Sequence, residues 1–319
     1  MHVLITGAAG MLGRKLTKRL VDVGVLRASP IDRIDLVDLV ECPADAAFCS
    51  SHVADLCKPG VAAGLLRPVP DVIFHLAGVV SGEAEADFDK GMAVNIDGTR
   101  ALFDALRAAE GTPRLVFTSS IAVFGAPFPD PIPDDFHLTP LTSYGMQKMV
   151  VEALLADCSR RGFFDGVGIR LPTISVRPGS PNAAASGFFS GIIREPLAGA
   201  RAELPVSRDV RHSHASPRTA VEYMVHAAEL DSAALGARRN LTMPGVSVTV
   251  GEQIDALARV AGPDAAALIV ESADPTIAEI VGGWPERFDT QRALELGFVP
   301  DQSYDDIIRA YIEDDLNPG

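Results

Sequence analysis

A tyrosine and a lysine four positions apart, Tyr144 and Lys148, open a stretch of helical periodicity over residues 144–161. At that spacing both side chains lie on one helix face. A phenol titrates far above neutrality. An ammonium nearby, together with an oxidised nicotinamide, stabilises the phenolate and lowers its pKa. Such a phenolate can take the proton of an alcohol while a hydride leaves the same carbon. A serine hydroxyl at hydrogen-bond distance would orient that alcohol and stabilise the developing oxyanion. Ser119 and Ser120, closing an apolar run that starts at Arg114, are the candidates. With only four tyrosines and five lysines in 319 residues, the pairing is informative.

The chemistry requires a hydride acceptor, and the N-terminal residues have the form of a site for one. Thr6-Gly7-Ala8-Ala9-Gly10-Met11-Leu12-Gly13 lies between a strand-like run (2–6) and a helical repeat (11–23). Gly7 permits a tight turn, Gly10 lets the backbone approach a pyrophosphate, and Gly13 allows close packing of helix on strand. The helix start at Met11 and Leu12 offers unpaired N–H groups and a positive dipole end. The spacing is G-x-x-G-x-x-G rather than G-x-G-x-x-G, so its position between strand and helix carries the reading. Asp38, at the end of the second strand and 25 positions beyond Gly13, stands where a carboxylate can accept from both adenosine ribose hydroxyls. It would repel a 2′-phosphate, which favours NAD over NADP. Asp35 faces the other side of that strand. His75-Leu76-Ala77-Gly78 ends a further strand, and its small residues would let a cofactor lie against the backbone. His75 itself reads as structural. Asn95, polar on an apolar helical face, reads either as a structural hydrogen-bonding residue or as part of a proton-relay water site. Thr118, Tyr144 and Lys148 complete the expected cofactor-binding set in this part of the chain.

The elements that must position these residues alternate. Strand signals fall at 2–6, 33–40, 53–56, 71–76, 114–119 and 167–171, and long helical repeats at 11–23, 93–109 and 144–161. Near-continuous apolar strands alternating with helices imply a parallel sheet covered on both faces. The expected fold is therefore α/β, a Rossmann-type doubly wound sheet, with ligands beyond the carboxyl ends of the strands. The residues singled out above fall at those ends. After Leu171 the pattern changes. Prolines and glycines cluster over 172–217, and helical pieces follow at 188–197, 218–230, 250–260 and 301–312. Residues 1–171 are expected to form the NAD-binding domain. Residues 172–319 are expected to form mainly a smaller substrate-binding region, with an apolar strand near Leu241 returning to the sheet.

Composition narrows the partners. Asp and Glu exceed Lys and Arg by 42 to 28, a formal charge of −14. That balance argues against nucleic acid, which needs a basic face, and against an anionic lipid surface. No run approaches the ~18 apolar residues of a membrane span. The apolar run at 3–5 directly at the start leads us to expect no signal peptide. Cys42, Cys49, Cys57 and Cys158 lack CxxC spacing and read as free thiols of a cytoplasmic protein. Cys49, His52 and Cys57 lack a metal-ligand spacing, so no metal is expected.

Taken together, the glycine turn, Asp38, His75-Leu76-Ala77-Gly78, Ser120 and Tyr144-x-x-x-Lys148 resemble the extended short-chain dehydrogenases/reductases, the NAD-dependent epimerase/dehydratase-like group, over the whole chain. The resemblance implies Ser120, Tyr144 and Lys148 as the catalytic trio. Ser120 is preferred to Ser119 for its distance from Val123-Phe124-Gly125. It further implies Asp55 and Leu56 at the adenine, and Pro172, Thr173 and Ile174 along the nicotinamide. More narrowly, residues 78–88, 171–179, 181–186 and 190–197 resemble the D-erythronate dehydrogenase subfamily. This implies NAD-dependent oxidation of the C2 hydroxyl of a four-carbon sugar acid, and a homodimer. His212 and His214 depart from that resemblance, which leads us to expect an aromatic and an aliphatic residue before Ser216-Pro217. An anionic hydroxy acid needs a cation, for which Arg177 and Arg211 are candidates. Ser81 and Asn182 are candidates for its hydroxyls. His212 and His214 are either substrate contacts or surface residues. Two other readings share the fold: a sugar-nucleotide 4-epimerase that retains NAD, and a non-catalytic dinucleotide sensor, for which an intact trio has no chemical use.

Overall fold

The computed structural model describes residues 1–179 and 186–316. The first six strands taken here are β1 (His2–Thr6), β2 (Arg33–Asp38), β3 (Cys49–Val53), β4 (Val72–His75), β5 (Arg114–Ser120) and β6 (Asp165–Leu171). They run parallel in the spatial order β3-β2-β1-β4-β5-β6. The order in which successive strands are added reverses between β1 and β4, which opens a crevice at their carboxyl ends.

Period-two alternation sorts the strands' side chains onto two faces. Val3, Ile5, Ile34, Phe74 and Val116 pack on one face against Leu16 and Leu20 of α1 (Met11–Val23). Leu4, Val37, Ile73, Leu115 and Phe117 pack on the other face. They meet Leu102 and Leu106 of α2 (Thr99–Ala108) and Val151 and Leu155 of α3 (Ser143–Arg160). Each such fully buried aliphatic side chain contributes about 1.5–3 kcal/mol. Burial on both faces explains why β1 and β4 read as continuous apolar runs.

The second half adds β7 (Thr173–Ile174), β8 (Arg211–Ala215), β9 (Asn240–Thr242) and β10 (Val246–Thr249). The strand near Leu241 does return: β9 pairs parallel to β6 as the seventh strand of the central sheet. The helix Pro217–Glu229 also packs on the first sheet, through Ala220, Val221 and Met224. β8 pairs parallel with β7 and antiparallel with β10, forming a small separate sheet. A second core joins α4 (Gly187–Leu197) to the helices Val250–Ala261 and Tyr304–Tyr311, through Phe189, Ile192, Ile193, Ile254, Leu257 and Ile308.

Three elements differ from the sequence expectation. The third strand occupies Cys49–Val53, upstream of the expected 53–56, because its pairing with residues 34–38 fixes it there. It is a polar edge strand with Ser50, Ser51 and His52, so an apolar scan passes it over. The expected helix 93–109 opens with a wider π-helical segment, Met92–Gly98, before α2 begins. The expected helix 301–312 starts later, at Tyr304, because Ser303 caps it by accepting from Asp306 N. Among the described residues no helix is long and apolar enough to cross a membrane.

Candidate active site

The carboxyl ends of β1, β4, β5 and β6 open into a cleft of about 520 Å³, closed from the far side by α4 and the segment 283–285. Its wall starts at the glycine turn. Gly7 has φ +74°, and a Cβ there would stand 2.6 Å from Ala77 N. A Cβ on Gly13 would stand 2.4 Å from Gly7 O. Only glycine allows the turn, α1 and the β4 end to approach this closely. Gly10 precedes α1 without capping it, so no side chain covers the helix start. Gly7, Gly10, Met11 and Leu12 line the cleft, with Leu76, Gly78 and Thr118 beside them. Ala77 packs beneath Gly7 instead of lining it. Asp38 sits at the β2 end against the turn, its carboxylate accepting from Ala9 N at 2.9 Å and Leu39 N at 2.7 Å. This uncapped, backbone-only cradle with an adjacent acid fits a dinucleotide.

Thr142 caps α3 by accepting from Gly145 N at 3.1 Å, which sets Tyr144 in the first turn and Lys148 one turn on. Strand alternation separates the two serines of β5. Ser119 Oγ donates to Glu152 Oε1 at 2.5 Å, within the buried Glu152–Arg170 ion pair. Ser120 faces the cleft beside Tyr144, and its Oγ accepts from Ala122 N at 3.1 Å. Lys148 Nζ donates to Thr118 O at 2.9 Å and lies 5.6 Å from the Tyr144 ring centre. Burial pushes Lys148 down to about 8, against the opposing charge of Glu152. Tyr144 departs from expectation: burial pushes its phenol above the ordinary value, outweighing the nearby Ser120 hydroxyl and the charge of Arg177. The Arg177 charge thus offsets part of the burial of the phenol, while Lys148 Nζ is held on the Thr118 carbonyl beside the ring.

Arg177 lines the cleft; its Nε donates to Ile174 O (3.0 Å) and its Nη2 to Ser186 Oγ (3.3 Å). Burial lowers its pKa, and its charged neighbours are Tyr144 and Arg194, with no carboxylate of the described residues among them. Ser81, Pro172, Thr173 and Ile174 line the same space.

Four expected positions lie elsewhere. Arg211 is not in the cleft: it bonds Ser247 O at 2.8 Å and pairs with Glu252 at 3.1 Å, groups from distant segments that its local sequence could not reveal. Asn95 is buried behind the cleft, where it accepts from Val79 N, donates to Val79 O and donates to Gln147 Oε1 at 2.7 Å. It therefore braces the loop at 78–81 and has no free face for a cofactor. Asp55 accepts from Cys57 N at 2.9 Å, and Leu56 is buried near Gly98, both outside the cleft lining. Asn182 lies outside the described residues.

Sequence reasoning missed Arg194, which lines the cleft with its Nη1 on Arg177 O at 2.8 Å. It also missed Trp284, the sole tryptophan, and Pro285. The rarity of tryptophan was the available signal. His212 and His214 are both buried rather than on the surface, and His212 lines the cleft. His75 is buried between Thr6 Oγ1 (2.7 Å) and Thr99 Oγ1 (2.9 Å), and burial pushes it down to about 3. All four cysteines are free, and no metal-binding cluster of His, Cys, Asp or Glu occurs among the described residues.

Residues 3–236 match the NAD dependent epimerase/dehydratase family. The chain belongs to that family. Among relatives, D-erythronate dehydrogenase of Cupriavidus necator is 48% identical over 98% of each chain. D-erythronate dehydrogenase of Haemophilus influenzae is 39% identical over 99% of this chain and all of its own. A solved structure described as a nucleoside-diphosphate-sugar epimerase from Agrobacterium tumefaciens superposes with TM-score 0.96 at 58% identity, covering 99% of this chain and 94% of that one. The family is NAD dependent, and the geometry of the glycine-turn cradle is of a kind that accommodates such a dinucleotide.

Proposed function

We propose that this protein oxidises the C2 hydroxyl of D-erythronate to 2-dehydro-D-erythronate with NAD as hydride acceptor. The observation that carries the reading is that Arg177 lines the same cleft as Tyr144 and Ser120, with its charge acting on the phenol. In a 2-hydroxy acid the carboxylate is bonded to the reacting carbon, so the cation that holds it must stand next to the base. Arg177 meets that demand with a fork suited to a carboxylate. The two relatives named D-erythronate dehydrogenase, matched over nearly their full lengths, support the same substrate.

Gly7, Gly10, Met11 and Leu12 would hold the pyrophosphate of NAD, and Asp38 the ribose. Leu76, Gly78, Thr118 and residues 172–174 would flank the nicotinamide. When bound, oxidised NAD supplies the hydride acceptor and a positive charge that favours the phenolate. Tyr144 takes the proton of the C2 hydroxyl. Ser120 orients that hydroxyl and stabilises the oxyanion that develops. Lys148, held on Thr118 O, adds its charge behind the phenol. Arg177 binds the carboxylate, and Ser81 and Asn182 the remaining hydroxyls. We further propose a cytoplasmic homodimer, in keeping with four free thiols, with residues 1–171 binding NAD and 172–319 mainly binding substrate.

The test is NADH formation by the purified protein with NAD and D-erythronate, beside L-threonate, D-threonate and L-threonine. Turnover selective for D-erythronate is expected. Absence of NADH with every acid, with NAD retained on the protein, would overturn the dehydrogenase reading. It would favour the epimerase named for the Agrobacterium structure.

A further inference from the structure

We infer that His212 is a specificity-determining positioning residue: it fixes the Thr173 hydroxyl as a donor toward itself, so that Thr173 offers the cleft only an acceptor and selects a substrate hydroxyl over a phosphate oxygen. The inference rests on the sugar-acid reading above and deepens it.

β8 carries His212 alongside β7, where Thr173 pairs with His214. The imidazole is buried, stacked on Phe189 with ring centres 5.2 Å apart and planes 6° from parallel, and it meets Trp284 at 5.3 Å. Both ring nitrogens have partners. Nδ1 lies 3.1 Å from Pro285 O, and Nε2 lies 2.7 Å from Thr173 Oγ1. A carbonyl oxygen can only accept, so Nδ1 carries the proton and donates to it. The other tautomer would set two lone pairs against each other in a buried site. Burial pushes the ring down to about 4, so it is not doubly protonated near neutrality. Nε2 is therefore bare and accepts the single hydroxyl proton of Thr173. Only the oxygen lone pairs of Thr173 remain for the cleft, which it lines together with Tyr144 and Arg177. An acceptor at that place attracts the O–H groups of a polyhydroxy acid. It repels phosphate oxygens, which are themselves acceptors. The same imidazole ties Pro285, in the segment that closes the cleft, to the strand that carries Thr173.

The test compares kcat/KM for D-erythronate with that for 2-hydroxybutyrate of the same C2 configuration, which keeps the carboxylate and reacting hydroxyl but lacks the other two. Wild-type protein, His212→Phe, Thr173→Val and the double variant are measured. Phenylalanine keeps the stacked ring and removes both nitrogens. The wild type is expected to prefer the hydroxylated acid at least ~10-fold. Each single variant is expected to lose most of that preference, chiefly through KM, and the double variant to lose no more than either alone. Additive losses, or an unchanged preference in His212→Phe, would overturn the inference. Because His212→Phe also strips Pro285 O of its donor, a second measurement uses wild-type protein only. Nitrogen-15 NMR of the His212 ring, assigned through its backbone, should show Nδ1 protonated and Nε2 bare at neutral pH. A protonated Nε2 would overturn the inference whatever the substrate. Failure of the wild type to oxidise D-erythronate would instead overturn the sugar-acid reading, leaving the tautomer to decide the polarity of Thr173.

Discussion

Replacing Arg177 by methionine keeps much of the stem and removes the charge, which separates three effects. The first is substrate binding. Hydrogen bonds to a charged group contribute about 1.5–3 kcal/mol. Loss of the carboxylate's cation at about 2.7 kcal/mol corresponds to roughly 100-fold in kcat/KM, expressed mostly in KM. The second effect falls on the base. The Arg177 charge opposes the upward push of burial on Tyr144. In the variant the phenol titrates higher, so the limb along which kcat rises with pH, set by deprotonation of the base, moves to higher pH. The third is stability: Ile174 O loses the donor now 3.0 Å away, at a cost of about 1 kcal/mol. Arg177→Lys returns a charge without the fork, so it should restore the pH profile more fully than KM. The assay is initial-rate NADH formation across D-erythronate concentration and pH, with urea denaturation to confirm folding. A folded Arg177→Met variant within about threefold of wild-type kcat/KM, with an unmoved pH profile, would refute the assignment of Arg177 as the carboxylate's partner.

Tyr144→Phe removes the proton acceptor and leaves the cradle intact. Turnover should fall about 10²–10⁴-fold while NAD affinity, read by fluorescence titration, stays near wild type; full activity would refute the mechanism. Asp38→Asn keeps an acceptor for Ala9 N but removes the charge, so the NAD-to-NADP preference in kcat/KM should fall about tenfold. An unchanged ratio would place the ribose partner elsewhere. Asp35 tests the reverse side of the sheet. Burial pulls its carboxyl upward, but hydrogen bonds from Arg33, His52 and His2 outweigh this and hold it below the usual carboxylate range. A depressed carboxylate gives stability that is complete above its unfolded value near pH 4 and is lost as pH falls through the folded value. Asp35→Asn should therefore flatten the acid limb of the stability curve, and an acid-denaturation profile parallel to that of wild type would count against the network.

The parts of the molecule that could be read from sequence are those in which local pattern and tertiary role coincide. β1 and β4 are buried on both faces, so their apolar runs announced them. The glycine turn was legible because close backbone approach admits no substitute at Gly7 and Gly13. Tyr144 and Lys148 share a helix face by spacing alone. β3 was misplaced because half of an edge strand faces water and its polar residues mask it. The π-helical opening before α2 has the same apolar periodicity as an α-helix over so short a stretch. Arg177 and Arg211 were indistinguishable in sequence; what separates them is Glu252, forty-one residues beyond Arg211 and brought to it by folding. Burial of His212 likewise depends on Phe189 and Trp284, from distant segments.

The return of β9 to the central sheet binds the two halves of the chain in time as well as in space. β6 leaves its outer edge open until some seventy further residues have been made and β9 arrives, supplying Arg239 O to Gly168 N at 2.9 Å and Met243 N to Arg170 O at 3.0 Å. During synthesis the first half therefore waits with an apolar strand edge exposed, and an unpaired edge is a template for other chains. Closing so long a loop is slow relative to local pairing. A chain truncated after Leu171 would carry every glycine of the turn together with Ser120, Tyr144 and Lys148, yet present that edge permanently. Its expected fate is aggregation, so the first half is a folding unit only with the strand that the second half delivers.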